Sequence, residues 1–141
     1  MSTTGVTALD HTIQEANIWL KAVDEQLELN DRHYAYNAMR AVLHALRDRL
    51  VPEVAVKLGA QLPIIVRGIY YEGWHMAGSP TTDRHLDEFV DHIRKELPPQ
   101  FPVDPLTATR AVYQVLWEKL DPGEFDKLMA HLPAPLRNLQ G

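Results

Sequence analysis

The sequence has no cysteine among its 141 residues. Disulfide frameworks, thiolate metal sites and cysteine nucleophiles are therefore excluded. It also lacks any apolar run near the roughly 20 residues that a membrane-spanning helix needs. Residues 1–10 lack the basic region and apolar core of a signal peptide. We therefore expect a cytoplasmic protein with no membrane partner.

An excess of positive charge is also missing. Lys and Arg number 14 against 19 Asp and Glu, which gives a formal net charge of −5. A nucleic-acid backbone is therefore not the expected main partner. The chain shows no phosphate-binding glycine loop, no nucleophile elbow and no paired Glu-x-x-His motif of a di-iron bundle. We therefore predict no cofactor and no catalytic residues.

What the sequence does contain is helical periodicity. After a flexible segment at residues 1–10, Thr12 is predicted to cap helix one, with Glu15 as its capping-box partner. Asp31 is predicted to cap helix two, and Pro52 to begin helix three. Apolar residues recur at the spacing of one helical face in helix one: Ala16, Trp19, Leu20, Val23 and Leu27.

The fourth predicted helix, in residues 62–74, is apolar on two sides. Pro63 can begin it, and Gly73 can end it. One stripe is formed by Leu62, Ile65, Val66 and Ile69, and a second side by Ile64 and Tyr71. A helix of this kind is expected to be buried between neighbours rather than laid on a single one.

The second half of the chain repeats the first with a shift of 70 residues. Its four predicted helices begin at residues that cap or start a helix: Thr81 or Thr82, Asp104 with Pro105, Asp121 with Pro122, and Pro133. Identical residues in the same register include Arg40 and Arg110, Leu62 and Leu132, Pro63 and Pro133, and Arg67 and Arg137. Apolar periodicity can arise by chance, but matching prolines and arginines indicate a tandem duplication.

We therefore predict an all-α fold of two tandem pseudo-symmetric four-helix units, packed as one compact helical bundle. The first unit is residues 11–74, the second is residues 82–141, and residues 75–81 are a linker. The fourth helix is longer and more aromatic than its counterpart, so we place it at the junction of the two units.

Three groups of residues carry a resemblance to a known family. They are the string Arg40-Ala41-Val42-Leu43, the pair Leu62-Pro63 with residues 67–74, and residues 82–89. With these motifs the chain resembles the bacterial domain-of-unknown-function family 2267 over nearly everything after Asp10. The resemblance implies a helical prokaryotic protein without an assigned activity, and it supplies no catalytic residues.

Four residues form the candidate partner or anion site: Arg67, Tyr71, Trp74 and Arg137. The two arginines can make structural contacts with a carboxylate or with the carbonyl end of a helix, or hold an anion between the halves. Tyr71 and Trp74 belong to an aromatic cluster that is either a buried seam or an exposed partner-binding patch. The sequence leaves both alternatives open.

His85, Glu88 and His92 are the candidate metal ligands. Their i, i+3 and i+7 spacing places two imidazoles and a carboxylate on one helical face, which could hold zinc or iron. Helix one carries no matching trio at the equivalent positions. The alternative is a polar, solvated flank of helix five.

Helices three and four also resemble a helix-turn-helix. Ala55, Gly59 and Ile65 have the small-residue, turn-glycine and core-aliphatic spacing of that motif. Arg67 would be the only positive charge on the recognition helix, which favours a structural helical hairpin instead.

The function we expect is a non-catalytic protein-interaction or regulatory module, whose partner is a protein or a second copy of the chain. Two alternatives stay open. One is a metal-dependent enzyme or metal-binding protein that uses the His85, Glu88 and His92 trio, and the other is helix-turn-helix DNA binding.

Overall fold

The computed structural model describes residues 3–141 and consists of helices. Seven α-helices follow in order: α1 (Thr7–Leu27), α2 (Arg32–Arg49), α3 (Pro52–Ala60), α4 (Ile64–Tyr71), α5 (Leu86–Glu96), α6 (Pro105–Lys119) and α7 (Glu124–Ala130). Short 3-10 turns lie at Met76–Gly78 and Ala134–Leu136. No strand occurs in the described residues, so the predicted all-α class is confirmed. Within the same range, no helix combines the length and apolarity needed to cross a membrane.

Helix α2 runs through the centre of the structure. Residues 41–47 are all buried, and α2 packs against α1, α3, α4, α5 and α6. A helix surrounded on every side must bury its whole circumference, and alanine, valine and leucine supply most of this stretch. His44 and Arg47 are its polar exceptions, and they need hydrogen-bond partners inside the protein.

Helix α6 lies against α2, and both α1 and α5 pack on the pair. The core between these helices contains several large side chains that are almost fully buried: Leu43, Leu46, Phe89, Ile93 and Leu116. Burial of each such side chain contributes roughly 1.5–3 kcal/mol. The contact between the first and second halves of the chain is therefore a main part of the core.

Most predicted helix starts are confirmed, since capping is a local interaction. The Asp31 carboxylate accepts hydrogen bonds from the backbone N–H groups of His33 (2.8 Å) and Tyr34 (3.4 Å). Asp104 accepts from the N–H of Leu106 at 2.8 Å, and Pro105 begins α6. Pro52 begins α3 in the same way.

Three predicted starts are wrong. Helix α7 begins at Glu124 with Gly123 as its N-cap, not at Asp121 with Pro122. Helix α1 begins at Thr7, inside the segment predicted to be flexible, and the Thr12 hydroxyl donates to the carbonyl of Leu9 instead of capping. Met1 and Ser2 lie outside the described residues. Helix α5 begins at Leu86 rather than after Thr81 or Thr82. The connection therefore extends through residues 75–85, beyond the predicted linker.

Helix α4 is not at the junction between the halves, so that prediction is also wrong. Its main contacts are with α1, α2 and α3, whereas the halves meet through the pairs α1–α6, α2–α5 and α2–α6. Val66 and Tyr70 are its buried residues, and Ile65 and Ile69 are only partly buried. The physical reason is a set of basic side chains on α2 that hold the end of α4.

Candidate functional site

Three basic side chains on α2 meet the C-terminal end of α4. We call Arg40, His44 and Arg47 the basic row, because they follow one another at i, i+4 and i+7 on one face of the helix. Arg47 Nη1 donates to the carbonyls of Tyr70 (2.8 Å) and Glu72 (2.9 Å). These carbonyls have no partner within α4, so the buried guanidinium completes their hydrogen bonding.

His44 connects the same helix end to the second half of the chain. Its Nε2 lies 2.7 Å from the carbonyl of Ile69, and its Nδ1 lies 2.9 Å from Glu96 Oε1 on α5. Both partners carry acceptor oxygens, so each ring nitrogen of the buried His44 side chain lies at hydrogen-bond distance from an oxygen atom. His44 thus links the C-terminal end of α4 to Glu96 on α5.

Arg40 completes the row at the edge of the molecule. Its Nη2 lies 3.0 Å from Glu72 Oε1, and its Nη1 lies 3.8 Å from Glu96 Oε2. The hydrogen bond that Arg40 donates to Glu72 is the largest cause that raises the pKa of Arg40. Desolvation lowers this pKa in part, and the charges of Glu96 and Glu72 raise it further. Arg40 and His44 therefore share the Glu96 carboxylate, and Arg40 alone also pairs with Glu72.

The second half does not repeat this row. The positions 70 residues later hold Arg110, Gln114 and Trp117, and the Trp117 side chain is 55% exposed where Arg47 is 3% exposed. The segment 70 residues after α4 is only the 3-10 turn Ala134–Leu136.

A second feature is a groove between α3 and α7, which we call the α3–α7 groove. It encloses about 140 Å³ and is lined by apolar side chains from both halves: Val54, Leu58, Leu120 and Leu128. Polar side chains form its rim: Lys57, Gln61, Glu124, Lys127 and His131. Lys57 and Lys127 are 70 residues apart, as are Leu58 and Leu128, so the groove lies between equivalent residues of the two halves.

One hydrogen bond crosses this groove. Gln61 Nε2 donates to Glu124 Oε2 at 2.7 Å, and the Gln61 Oε1 atom is buried without a partner. The Gln61 amide, with smaller effects from Lys127 and Lys57, lowers the pKa of Glu124. The Glu124 carboxylate also pairs with Lys127 Nζ at 3.4 Å, so the two lysines together leave an excess of positive charge at this part of the rim.

Comparison with known proteins identifies the family of this chain. A family model described as an uncharacterized conserved protein, DUF2267, matches residues 16–139. The chain belongs to this family. No curated protein matches the sequence. Membership in DUF2267 confirms the resemblance drawn from the sequence motifs, but it carries no activity, so function must be argued from the geometry.

The repeated arginines of this DUF2267 chain make structural contacts. Arg67 Nη2 donates to the carbonyl of Leu62 at 3.0 Å and to that of Ala60 at 3.3 Å. Arg137 Nε donates to the carbonyl of Leu132 at 2.7 Å. Both residues thus make backbone contacts of the structural kind, and the anion site stays a prediction.

The aromatic cluster packs inside the first half. The Tyr70 hydroxyl donates to the carbonyl of Ala55 at 2.7 Å, and the Tyr71 ring stacks on that of Trp74 with centroids 5.7 Å apart. Tyr71 and Trp74 are partly buried against the core. The cluster therefore secures α4 to α3 and is not the seam between the halves.

Gly59 has a packing role rather than the turn role of a helix-turn-helix. It lies within α3, and a Cβ on it would be 2.2 Å from the Tyr71 hydroxyl oxygen. The turn-glycine interpretation is therefore wrong. Since Arg67 already donates to backbone carbonyls, the features on which the DNA-binding hypothesis depended have structural explanations.

The candidate metal ligands are used separately. Glu88 accepts hydrogen bonds from the backbone N–H groups of His85 (3.1 Å) and Arg84 (3.2 Å), and His92 Nδ1 is bound to the buried Asp83 carboxylate. No group of three His, Asp or Glu side chains in residues 3–141 could hold a metal ion. The three-residue spacing of His85 and Glu88 is instead that of a capping box, in which Glu88 caps the first turn of α5.

The Glu88 cap predicts a pH-dependent stability difference. Hydrogen bonds, first from His85 and then from Arg84, lower its pKa below the usual 4.5. A lowered pKa stabilises the fold above the unfolded value and loses this effect as pH falls through the folded value. We expect Glu88→Gln to lower the melting temperature at pH 7, with the difference shrinking below pH 4.5.

Thermal unfolding followed by circular dichroism across this pH range measures the effect. Glu25→Gln, an exposed substitution on α1, is the matched control and should show no such trend. A deficit of equal size at pH 3 and pH 7 would contradict the capping role of the carboxylate.

The residues that sequence reasoning missed are His44, Arg47, Glu96 and Asp83. A signal was present, because His44 and Arg47 interrupt the apolar stretch of α2 that includes residues 41–46. Their partners are backbone carbonyls of α4 and a carboxylate 52 residues away, which no local spacing reveals.

Proposed function

We propose that this DUF2267 protein is a non-catalytic protein-interaction or regulatory module of the bacterial cytoplasm, and that the α3–α7 groove is its docking surface. The observation that carries the proposal is the combination of an apolar lining with two lysines on the rim. Apolar grooves bind amphipathic segments through a few inserted side chains. No catalytic residue and no cofactor is part of the proposal.

The charges around the groove select the partner. Lys57 and Lys127 are both exposed, and the Glu124 carboxylate accepts from Gln61 and pairs with Lys127 at 3.4 Å. Acidic side chains flanking an apolar anchor would therefore meet cations at the rim. We infer that the partner is an amphipathic protein segment rich in Asp or Glu. The proposed docking surface is thus the α3–α7 groove and not the site predicted from sequence at Arg67, Tyr71, Trp74 and Arg137.

We also propose that the fold arose by duplication of a four-helix unit, with residues 11–74 and 82–141 as pseudo-symmetric copies and residues 75–81 as the linker. Equivalent hydrogen bonds support this. Arg67 and Arg137 each donate to the carbonyl five residues earlier, at Leu62 and Leu132. The position of the groove between residues 70 apart follows from this origin.

A randomised peptide library displayed on phage tests the docking surface. We expect the selected peptides to combine large apolar side chains with Asp or Glu. The double variant Lys57→Glu/Lys127→Glu should weaken binding of a selected peptide by about tenfold or more, because rim attraction becomes repulsion. Fluorescence anisotropy with the synthetic peptide measures the change.

The matched control reverses two exposed lysines outside the groove, Lys21 and Lys119. If both double variants weaken peptide binding equally, the effect comes from net charge, and binding in the groove is contradicted. A library that yields no binder would contradict the peptide-docking proposal. Dimers in sedimentation experiments, abolished by the Lys57→Glu/Lys127→Glu variant alone, would show that the occupant is a second copy.

A further inference from the structure

A separate cavity lies between α2 and α5, away from the α3–α7 groove. It encloses about 250 Å³. Its lining comes from α2, from the connection before α5 and from α5 itself: Ala41, His44, Ala45 and Asp48, then Thr81, then His92, Lys95 and Glu96. A cavity of roughly 150 Å³ already admits benzene, so this one can hold a small organic molecule.

Three polar atoms on the cavity wall lack a hydrogen-bond partner in the described chain. The Thr81 hydroxyl oxygen is buried and unpaired. His92 uses Nδ1 for the Asp83 carboxylate, which leaves its second ring nitrogen without a partner. Asp48 uses Oδ1 for Arg47 Nε at 2.8 Å, which leaves Oδ2. The Thr81 hydroxyl is the buried one of the three, whereas the His92 and Asp48 side chains are 46% and 39% exposed at the mouth of the cavity. Buried polar atoms are normally paired, so the Thr81 hydroxyl suits this wall to a polar ligand.

Two of the three atoms are oxygen acceptors. A carboxylate oxygen accepts only, and the hydroxyl oxygen can also accept. From this arrangement we propose that the cavity binds a small protonated primary amine, whose ammonium group donates to Asp48 and Thr81 beside the His92 ring.

The remaining charges on the wall do not compete for this position. The Glu96 carboxylate is bound to His44, and the Lys95 ammonium pairs with Asp91 at 3.2 Å with its side chain 71% exposed. The Ala41 and Ala45 methyl groups leave room for a short alkyl chain. The residue 70 positions after Ala45 is Val115, so the small side chain belongs to this half alone.

Titration with n-propylammonium chloride, followed by ¹H–¹⁵N NMR, tests the proposal. We expect saturable shifts at Thr81 and in the His92 ring nitrogens. Thr81→Val and Asp48→Asn should each weaken binding by about tenfold, since each removes one acceptor. Ala45→Val, which introduces the residue of the second half, should also weaken it by filling the cavity.

Controls separate the site from general ionic effects. Sodium chloride at equal ionic strength should not produce the shifts, and Glu118→Gln, at the position equivalent to Asp48 on α6, should bind the amine as the parent does. Shifts that never saturate, or that sodium acetate reproduces, would overturn the proposal. Unchanged affinity in Thr81→Val would also overturn it. Because Thr81→Val leaves the Asp48–Arg47 contact in place, it tests the site even if Asp48→Asn unfolds the protein.

Discussion

Replacing Arg47 by alanine is expected to cost about 3–5 kcal/mol of unfolding free energy. Its guanidinium is 3% exposed and donates to the carbonyls of Tyr70 and Glu72 and to the Asp48 carboxylate. Alanine would leave the buried Tyr70 carbonyl, the partly buried Glu72 carbonyl and the Asp48 carboxylate without this donor, in a space that the side chain had filled. A domain of this size has roughly 5–15 kcal/mol of stability in total, so the loss is severe.

Urea unfolding followed by circular dichroism measures this loss. Arg47→Lys should fall between alanine and the parent, because an ammonium group lacks the planar fork that serves several acceptors. Arg94→Ala, which removes an exposed pair with Asp91 on α5, is the control and should stay within about 0.5 kcal/mol. A cost below about 1 kcal/mol for Arg47→Ala would contradict the role of the basic row.

The second large effect is expected at Gly59. In most helices Gly→Ala is stabilising by about 1 kcal/mol. Here the new methyl group would lie 2.2 Å from the hydroxyl oxygen and 2.6 Å from Cζ of Tyr71. The ring is held against Trp74 and Tyr70, so it cannot swing aside freely. We therefore expect Gly59→Ala to destabilise the protein by about 1–3 kcal/mol.

Gly68 provides the matched control for this substitution. It lies in α4, and a Cβ there would meet nothing within 4 Å. Gly68→Ala should therefore stabilise the protein by about 0.5–1 kcal/mol. Adding Gly59→Ala to a Tyr71→Ala background should remove most of the clash. If Gly59→Ala is as stabilising as Gly68→Ala in thermal unfolding, the assigned packing is wrong.

Features that depend on interactions within one helical turn were predictable from the sequence, whereas features that depend on residues distant in the chain were not. The helix starts at Asp31, Pro52 and Pro105 were predictable, because a cap or an initial proline acts on the first turn of its own helix. The start of α5 was not predictable in this way. Two threonines near the linker fit the capping rule, but the Glu88 carboxylate fixes the first turn further along the chain.

The position of α4 shows what periodicity omits. Its apolar stripe correctly indicated a helix with buried residues, and Tyr70 is fully buried. The stripe could not say which neighbours cover it, since His44 and Arg47 act across 23 to 25 residues of chain. The repeat of Arg67 at Arg137 was likewise visible in the sequence. The carbonyl groups to which these arginines donate were not, and those contacts are what indicate a structural role.

The packing order of the helices has a consequence for any shorter form of the molecule. Because α1 rests on α6 while α5 rests on α2, each half supplies a wall of the other's interior. Removal of the second half would expose Leu43, Leu46 and their neighbours to water, and removal of the first half would expose Phe89, Ile93 and Leu116. Truncation or genetic exchange near residue 78 therefore cannot yield an independent half-length protein unless a second molecule replaces the missing wall.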